Sequence, residues 1–203
     1  MQRGLPNLMV HLVNLLKHTH NVIVTVNKYD TDTPEEIDIV RQYCKDSNVP
    51  FVVSDSYLNG GVGSQVLAKK VSEICDNLND FQLLYEDNLS IVDKINKDCT
   101  EIYHAGKVNF SDVALEKIKM LEALEVGHLP VCISKTQYYI SDDPKQLGFP
   151  SGFDVTVRDI IPYTGAGFIT VLLGDVMTMP GLSRKPNYEN IDIDKDGNIV
   201  GIF

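Results

Sequence analysis

No apolar run in the 203 residues approaches the roughly 18–20 that a membrane-spanning helix needs. Met1-Gln-Arg-Gly-Leu-Pro6 also lacks the basic-then-apolar order of a secretory signal. The expectation is a soluble, cytoplasmic protein with no membrane partner. Positive charge is short as well: Lys and Arg total 18 against 28 Asp and Glu, a net charge of −10. Nucleic-acid affinity rests on clustered cations, so nucleic acid is set aside as a partner. Cysteine is sparse. Cys44, Cys75, Cys99 and Cys132 stand about 24 to 33 residues apart, with no CxxC and no adjacent His. That spacing suits neither zinc nor a redox dithiol, and four separate buried thiols are expected. GxxxxGK[ST] occurs nowhere, so the backbone cradle and lysine that hold nucleotide phosphates are lacking. Gly and Pro together number 23, and hydrophobic residues make up 43%. This profile excludes collagen, coiled coil and wholesale disorder.

What is present reads first as alternating helix and strand. Leu5, Leu8, Met9, Leu12, Leu15 and Leu16 recur at helical spacing. Val22–Val26 is apolar on both faces, as in a strand covered on each side. Thr33-Pro-Glu-Glu36 predicts a capped helix start, with Thr33 and Glu36 as a capping box and Pro34 in the first turn. Val49–Val53 predicts a second strand, and Val62–Leu78 a further helix. Helix, strand, helix, strand, helix implies right-handed crossovers and a parallel sheet. Beyond residue 80 the pattern changes. Helices are expected over 89–103 and 111–124, then β-rich segments at 131–133, 153–157 and 168–173. The division is therefore 1–80, an α/β unit, and 81–203, an α+β unit.

Ligands of parallel sheets bind beyond the carboxyl ends of the strands. Two segments occupy that place: Asn27-Lys-Tyr-Asp-Thr-Asp-Thr33 and Ser54-Asp-Ser-Tyr-Leu-Asn-Gly-Gly-Val-Gly63. Each carries one tyrosine just past a strand end. If the strands are neighbours, Tyr29 and Tyr57 would bracket a flat heterocycle; the plainer alternative is that they pack in the core. Asn27-Lys-Tyr-Asp30 also fits the NKxD pattern of guanine recognition, but without a phosphate loop it does not make a GTPase. Gly60-Gly-Val-Gly-Ser64 either presents amides to an anion or is only a tight turn into a helix. Asp192-x-Asp194-x-Asp196-Gly197 copies half of a calcium loop. Its twelfth position is Phe203, so a hairpin turning at Asp196-Gly197 is expected instead. His18-x-His20 has no third ligand spaced nearby, and no metal site or catalytic residue is assigned.

Several stretches are more specific. Asn27–Thr33, Phe81-Gln-Leu-Leu-Tyr85, Leu129–Gln137, Ser141-Asp-Asp-Pro144 and Pro150-Ser-Gly-Phe153 resemble the formate–tetrahydrofolate ligases. So do Val157-Arg-Asp159, Gly165-Ala-Gly-Phe168, Met177-Thr-Met-Pro-Gly-Leu182 and Glu189–Asp194. The likeness runs end to end but covers only the C-terminal portion of that longer family. It implies the C-terminal part of a P-loop NTPase-like sheet domain over 1–80, followed by a smaller α+β domain over 81–203. It implies a reaction joining formate to N10 of tetrahydrofolate with ATP, Mg²⁺ and a formyl-phosphate intermediate. The family's pterin lies between two aromatic side chains, more often Phe and Trp, and Tyr29 and Tyr57 fall at those positions. Asp30 stands where proline is common. By the same resemblance Val53, Asp55, Gly60 and Gly61 line the folate cleft, and Asn27 meets the adenine edge. The family's phosphate loop belongs to the portion preceding these residues. The implied partners are tetrahydrofolate, that N-terminal half and further copies of the chain, and the chain by itself is expected to be inactive. The alternative is a non-catalytic remnant or oligomerisation module.

Overall fold

The computed structural model describes residues 1–135, 140–141, 145–146, 148–174 and 184–202. The Met177–Leu182 motif, parts of the 129–137 and 141–144 stretches, and Phe203 lie outside the described residues.

Helix α1 (Leu5–Leu16) follows a single 3-10 turn and carries Pro6 in its first turn, where a missing N–H costs nothing. Strand β1 (Val24–Asn27) and strand β2 (Phe51–Ser54) pair in parallel, from Val24 opposite Phe51 to Asn27 opposite Ser54. Both begin two residues later than the apolar runs suggest, because Val22 and Val49 are buried as lead-ins without a ladder partner. The crossover is α2 (Pro34–Asp46). Its capping box is complete: Thr33 Oγ1 accepts from the Glu36 N–H, and Glu36 Oε2 accepts from the Thr33 N–H, each at 3.3 Å. Leu12, Val22, Val24, Val40, Cys44 and Val49 form one apolar cluster.

After β2 the structure corrects the expected loop. Residues 56–63 are helical, as α3 (Ser56–Gly63), and α4 (Gln65–Cys75) follows. A kink divides α3 at Gly60, whose φ of 56° and ψ of −139° suit only glycine. Three glycines, Gly60, Gly61 and Gly63, hid this helix from propensity. Helix α4 lies against β2 yet buries none of its residues, and Val66, Val71 and the following Leu78 stay exposed.

The remaining elements surround a larger cluster. Helix α5 (Ile91–Lys97) runs into a π-helical turn over Asp98–Ile102, so the helix expected to Tyr103 is split. Strand β3 (Lys107–Phe110), which the sequence did not suggest, precedes α6 (Asp112–Ala123), capped by Ser111. Strands β4 (Val131–Ser134), β5 (Asp154–Tyr163) and β6 (Phe168–Leu173) complete a sheet of order β3-β5-β6-β4. Its outer pairs are parallel and its central pair antiparallel, with a register shift between Val157 and Asp159. Ile91, Ile95, Ile118 and Leu121 pack on Val155, Val157, Ile169 and Val171. Lys94 is wholly buried there. Its ammonium donates to the Gly127 and Leu129 carbonyls at 2.9 and 3.1 Å, and burial lowers its pKa. The architecture is α/β, with mixed parallel and antiparallel sheets.

Strands β7 (Asp192–Ile193) and β8 (Ile199–Val200) form the expected hairpin. The Asp194 carboxylate accepts from the N–H groups of Asp196 and Asn198 at 2.9 Å each, which closes the turn. The thiols differ from expectation: none of the four forms a disulfide, but only Cys44 and Cys99 are buried, while Cys75 and Cys132 are exposed.

Candidate functional site

The parallel β1–β2 pairing supplies the adjacency that the strand-end site requires. Both strands end level, at Asn27 and Ser54, and the ladder continues one step as the Lys28 N–H donates to the Ser54 carbonyl at 2.8 Å. Beyond that point the chains diverge into two short turns, and each delivers a tyrosine. Their ring centroids are 4.9 Å apart at 50°. Tyr29 is 43% exposed and Tyr57 67%, so neither packs in the core. Ring faces stack at about 3.5–4 Å, so a flat heterocycle between them needs centroids roughly 7 Å apart. The rings touch here, and admitting a ligand means parting them by about 2 Å.

Each turn is fixed locally. The Tyr29 N–H donates to Asp32 Oδ2 at 2.8 Å, and the Asp32 N–H returns to the Tyr29 carbonyl at 3.2 Å. Asp30, singled out from the sequence, sits exposed at the tip of this turn. Asp32 is the residue that shapes it. A signal existed, since an Asp in a short turn, here five residues past the strand end, commonly hydrogen-bonds nearby backbone. On the other side the Asp55 carbonyl accepts from the N–H groups of Leu58 and Asn59, at 3.1 and 3.0 Å. Asp55 Oδ2 accepts from Asn59 Nδ2 at 2.8 Å, so Asp55 holds the Tyr57 turn in place. A Cβ on Gly63 would lie 2.3 Å from Asp55 Oδ1 and 2.7 Å from the Asp55 backbone, so this close approach requires glycine. Gly60 and Gly61 face open space.

Beside the tyrosine pair a cavity of about 250 Å³ opens between β1, β2 and α2. Lys28, Asp32, Ile37, Arg41 and Val53 line it. Arg41 is held in place: its Nε donates to Asp38 Oδ1 at 3.1 Å, and its guanidinium lies 5.0 Å over the Phe51 ring. The structure thus gathers Tyr29, Tyr57, Val53, Asp55 and Asn27 at one sheet end. His18 and His20 go elsewhere, to the 80–82 segment, with His18 Nδ1 3.0 Å from the Gln82 carbonyl and His20 Nδ1 2.9 Å from Asp80 Oδ2. The Asp80 carboxylate also accepts from the His20 N–H and the Thr19 hydroxyl, which hold its pKa down at about 2.

Fold and site together define an α/β protein whose parallel strands present an aromatic pair at their carboxyl ends. The comparisons give that class a family. A model of the formate–tetrahydrofolate ligase family matches residues 1–203. A formate–tetrahydrofolate ligase of Petrotoga mobilis is 44% identical over 202 residues, which is all of this chain and 36% of that protein. One from a Psychrobacter species is 43% identical over 208 residues, all of this chain and 37% of its own length. The chain belongs to the formate–tetrahydrofolate ligase family, and it spans little more than a third of the length of these relatives.

Proposed function

We propose that this chain supplies the folate side of an ATP-dependent formate–tetrahydrofolate ligase, with the pterin held between Tyr29 and Tyr57. One observation carries the reading: the two rings stand 4.9 Å apart and exposed at level strand ends. Parting them creates a slot whose walls are both π-faces, a geometry that suits a flat bicyclic heterocycle and little else. Val53, Asp55, Gly60 and Gly61 border that slot, Asp30 lies at its rim, and Asn27 is placed for the adenine edge. The sheet end is read as the C-terminal part of a P-loop-like domain over 1–80, with 81–203 as the second domain.

Mg²⁺-ATP does not fit the residues present. The chain carries no GxxxxGK[ST], and among the described residues no group of three acidic, His or Cys side chains could hold a metal ion. Phosphoryl transfer depends on such a cradle, on charge neutralisation and on the metal. We therefore assign ATP and formate activation to the counterpart of the remaining length of the relatives. This chain alone is then inactive. The reading places it in the cytoplasm, where one-carbon units are carried on folates.

The test is titration with tetrahydrofolate of the native chain and of Tyr57→Ala. The sequence has nine tyrosines and no tryptophan, so binding is read by calorimetry, and the single indole of Tyr57→Trp reports the slot. Loss of one stacking face should weaken binding roughly tenfold, and Tyr57→Trp should restore it. Equal affinity of native and Ala chains would overturn the pterin slot. A second reading, an oligomerisation module without chemistry, is favoured by one observation: α4 buries nothing and presents Val66 and Val71 to solvent.

A further inference from the structure

A second cavity, of about 370 Å³, shares no described lining residue with the strand-end cavity or the tyrosine pair. Its walls come from three places in the chain: the end of α1 at His18, the extended segment Leu83–Tyr85, and the π-helical turn facing Pro130 and Val131. Tyr85 fixes the outer wall by accepting from the Val131 N–H at 3.1 Å through its hydroxyl. Most of the lining is apolar, from Leu83, Leu84, Ile102, Pro130 and Val131. The acidic groups are Asp87 and Asp98; His18 is present, and among the described residues no Lys or Arg lines the cavity.

We propose that this cavity binds a small organic ammonium ion with a compact apolar body, its N–H groups donating to Asp98. The Asp98 carboxyl is half-buried, and what acts on it is burial together with the charges of His18 and Glu101; among the described residues no hydrogen bond contributes. Burial accordingly pushes its pKa up to about 6. A carboxylate in apolar surroundings without donors is costly, and a cationic donor removes that cost twice, by charge and by hydrogen bonding. The apolar walls then cover the ligand's hydrocarbon body. The volume falls in the range of small-molecule sites, which begin at about 300 Å³. Among the described lining residues the two carboxylates Asp87 and Asp98 face the single imidazole of His18, so an anion is disfavoured by the same geometry.

The probe is 2-phenylethylammonium, compared by calorimetry with its neutral isostere 2-phenylethanol and with the anion 3-phenylpropionate, on the whole 203-residue chain. The expected result is binding of the ammonium, at least about tenfold weaker binding of the alcohol, and none of the carboxylate. Asp98→Asn should weaken the ammonium at least about tenfold and leave the alcohol unchanged. Asp87→Asn, at the cavity edge, should give a smaller loss and serves should Asp98→Asn fail to fold. Equal affinity for ammonium and alcohol, no binding of the ammonium, or indifference to a folded Asp98→Asn chain would each overturn the proposal. Tyr57→Ala should leave ammonium binding intact, so failure here and failure of the folate slot are separately visible.

Discussion

At neutral pH the Asp98 carboxyl is charged although its surroundings favour the neutral form. Burial raises its pKa from an ordinary 3.8 to about 6; His18 pulls the value down and Glu101 pushes it up. Tyr85, Asp87, Tyr103, Cys99 and Cys132 are among the other ionisable groups around it, and burial lifts the Tyr103 hydroxyl to about 12. Because the folded state holds the Asp98 proton more tightly than the unfolded chain, it binds more protons between about pH 4 and 6, and stability falls as pH rises through that window. Asp98→Asn should therefore stabilise the chain at pH 7 relative to pH 4, by on the order of 2 kcal/mol, read as a shift in urea midpoint. An equal effect of the substitution at both pH values would mean the carboxyl is solvated. Nothing local betrays this residue. In the sequence Asp98 is one more polar position beside Ile95 and Cys99, and its setting depends on Tyr85 reaching Val131, 46 residues away. The tyrosine pair was more legible, because a strand-end position is a local property and only the pairing of β1 with β2 had to be supplied.

Elements were readable where their signals were short-range. Thr33-Pro-Glu-Glu36 announces a helix start within four residues, and the structure forms both of its capping bonds. Thr33→Ala removes the acceptor for the Glu36 N–H and should cost about 1 kcal/mol, measurable by chemical denaturation. Because α2 also walls the cavity that Lys28 and Arg41 line, fraying of its first turn would be felt at the strand end. Strand β3 went unread for the opposite reason. Lys107–Phe110 has no fully buried residue, and it is a strand only because β5 lies alongside, with Lys107 opposite Asp154. Helix α3 contradicts its composition: Gly60 and Gly61 disfavour a helix, yet the close contact of Gly63 with Asp55 closes the turn.

Across the whole molecule, apolar burial is uneven. The larger cluster spans Ile91 to Leu173 and the smaller one Leu12 to Val49, while α4 contributes to neither. Helix α4 lies open on a two-stranded sheet and leaves Val66 and Val71 exposed, a face that invites association. Light scattering should therefore find the native chain larger than a monomer, and Val66→Lys should shift it towards the monomer without loss of tetrahydrofolate binding. A native chain that is already monomeric would remove the support for the oligomerisation reading. The spacing of the two clusters also sets an order in time. Chains emerge from the ribosome N-terminus first, at about 5–20 residues per second. The residues that form β1, α2 and β2 have all been made by residue 57, whereas the sheet built on β5 and β6 waits for residue 173. During translation both tyrosines are thus in the chain several seconds before Val131 arrives to wall the acidic cavity.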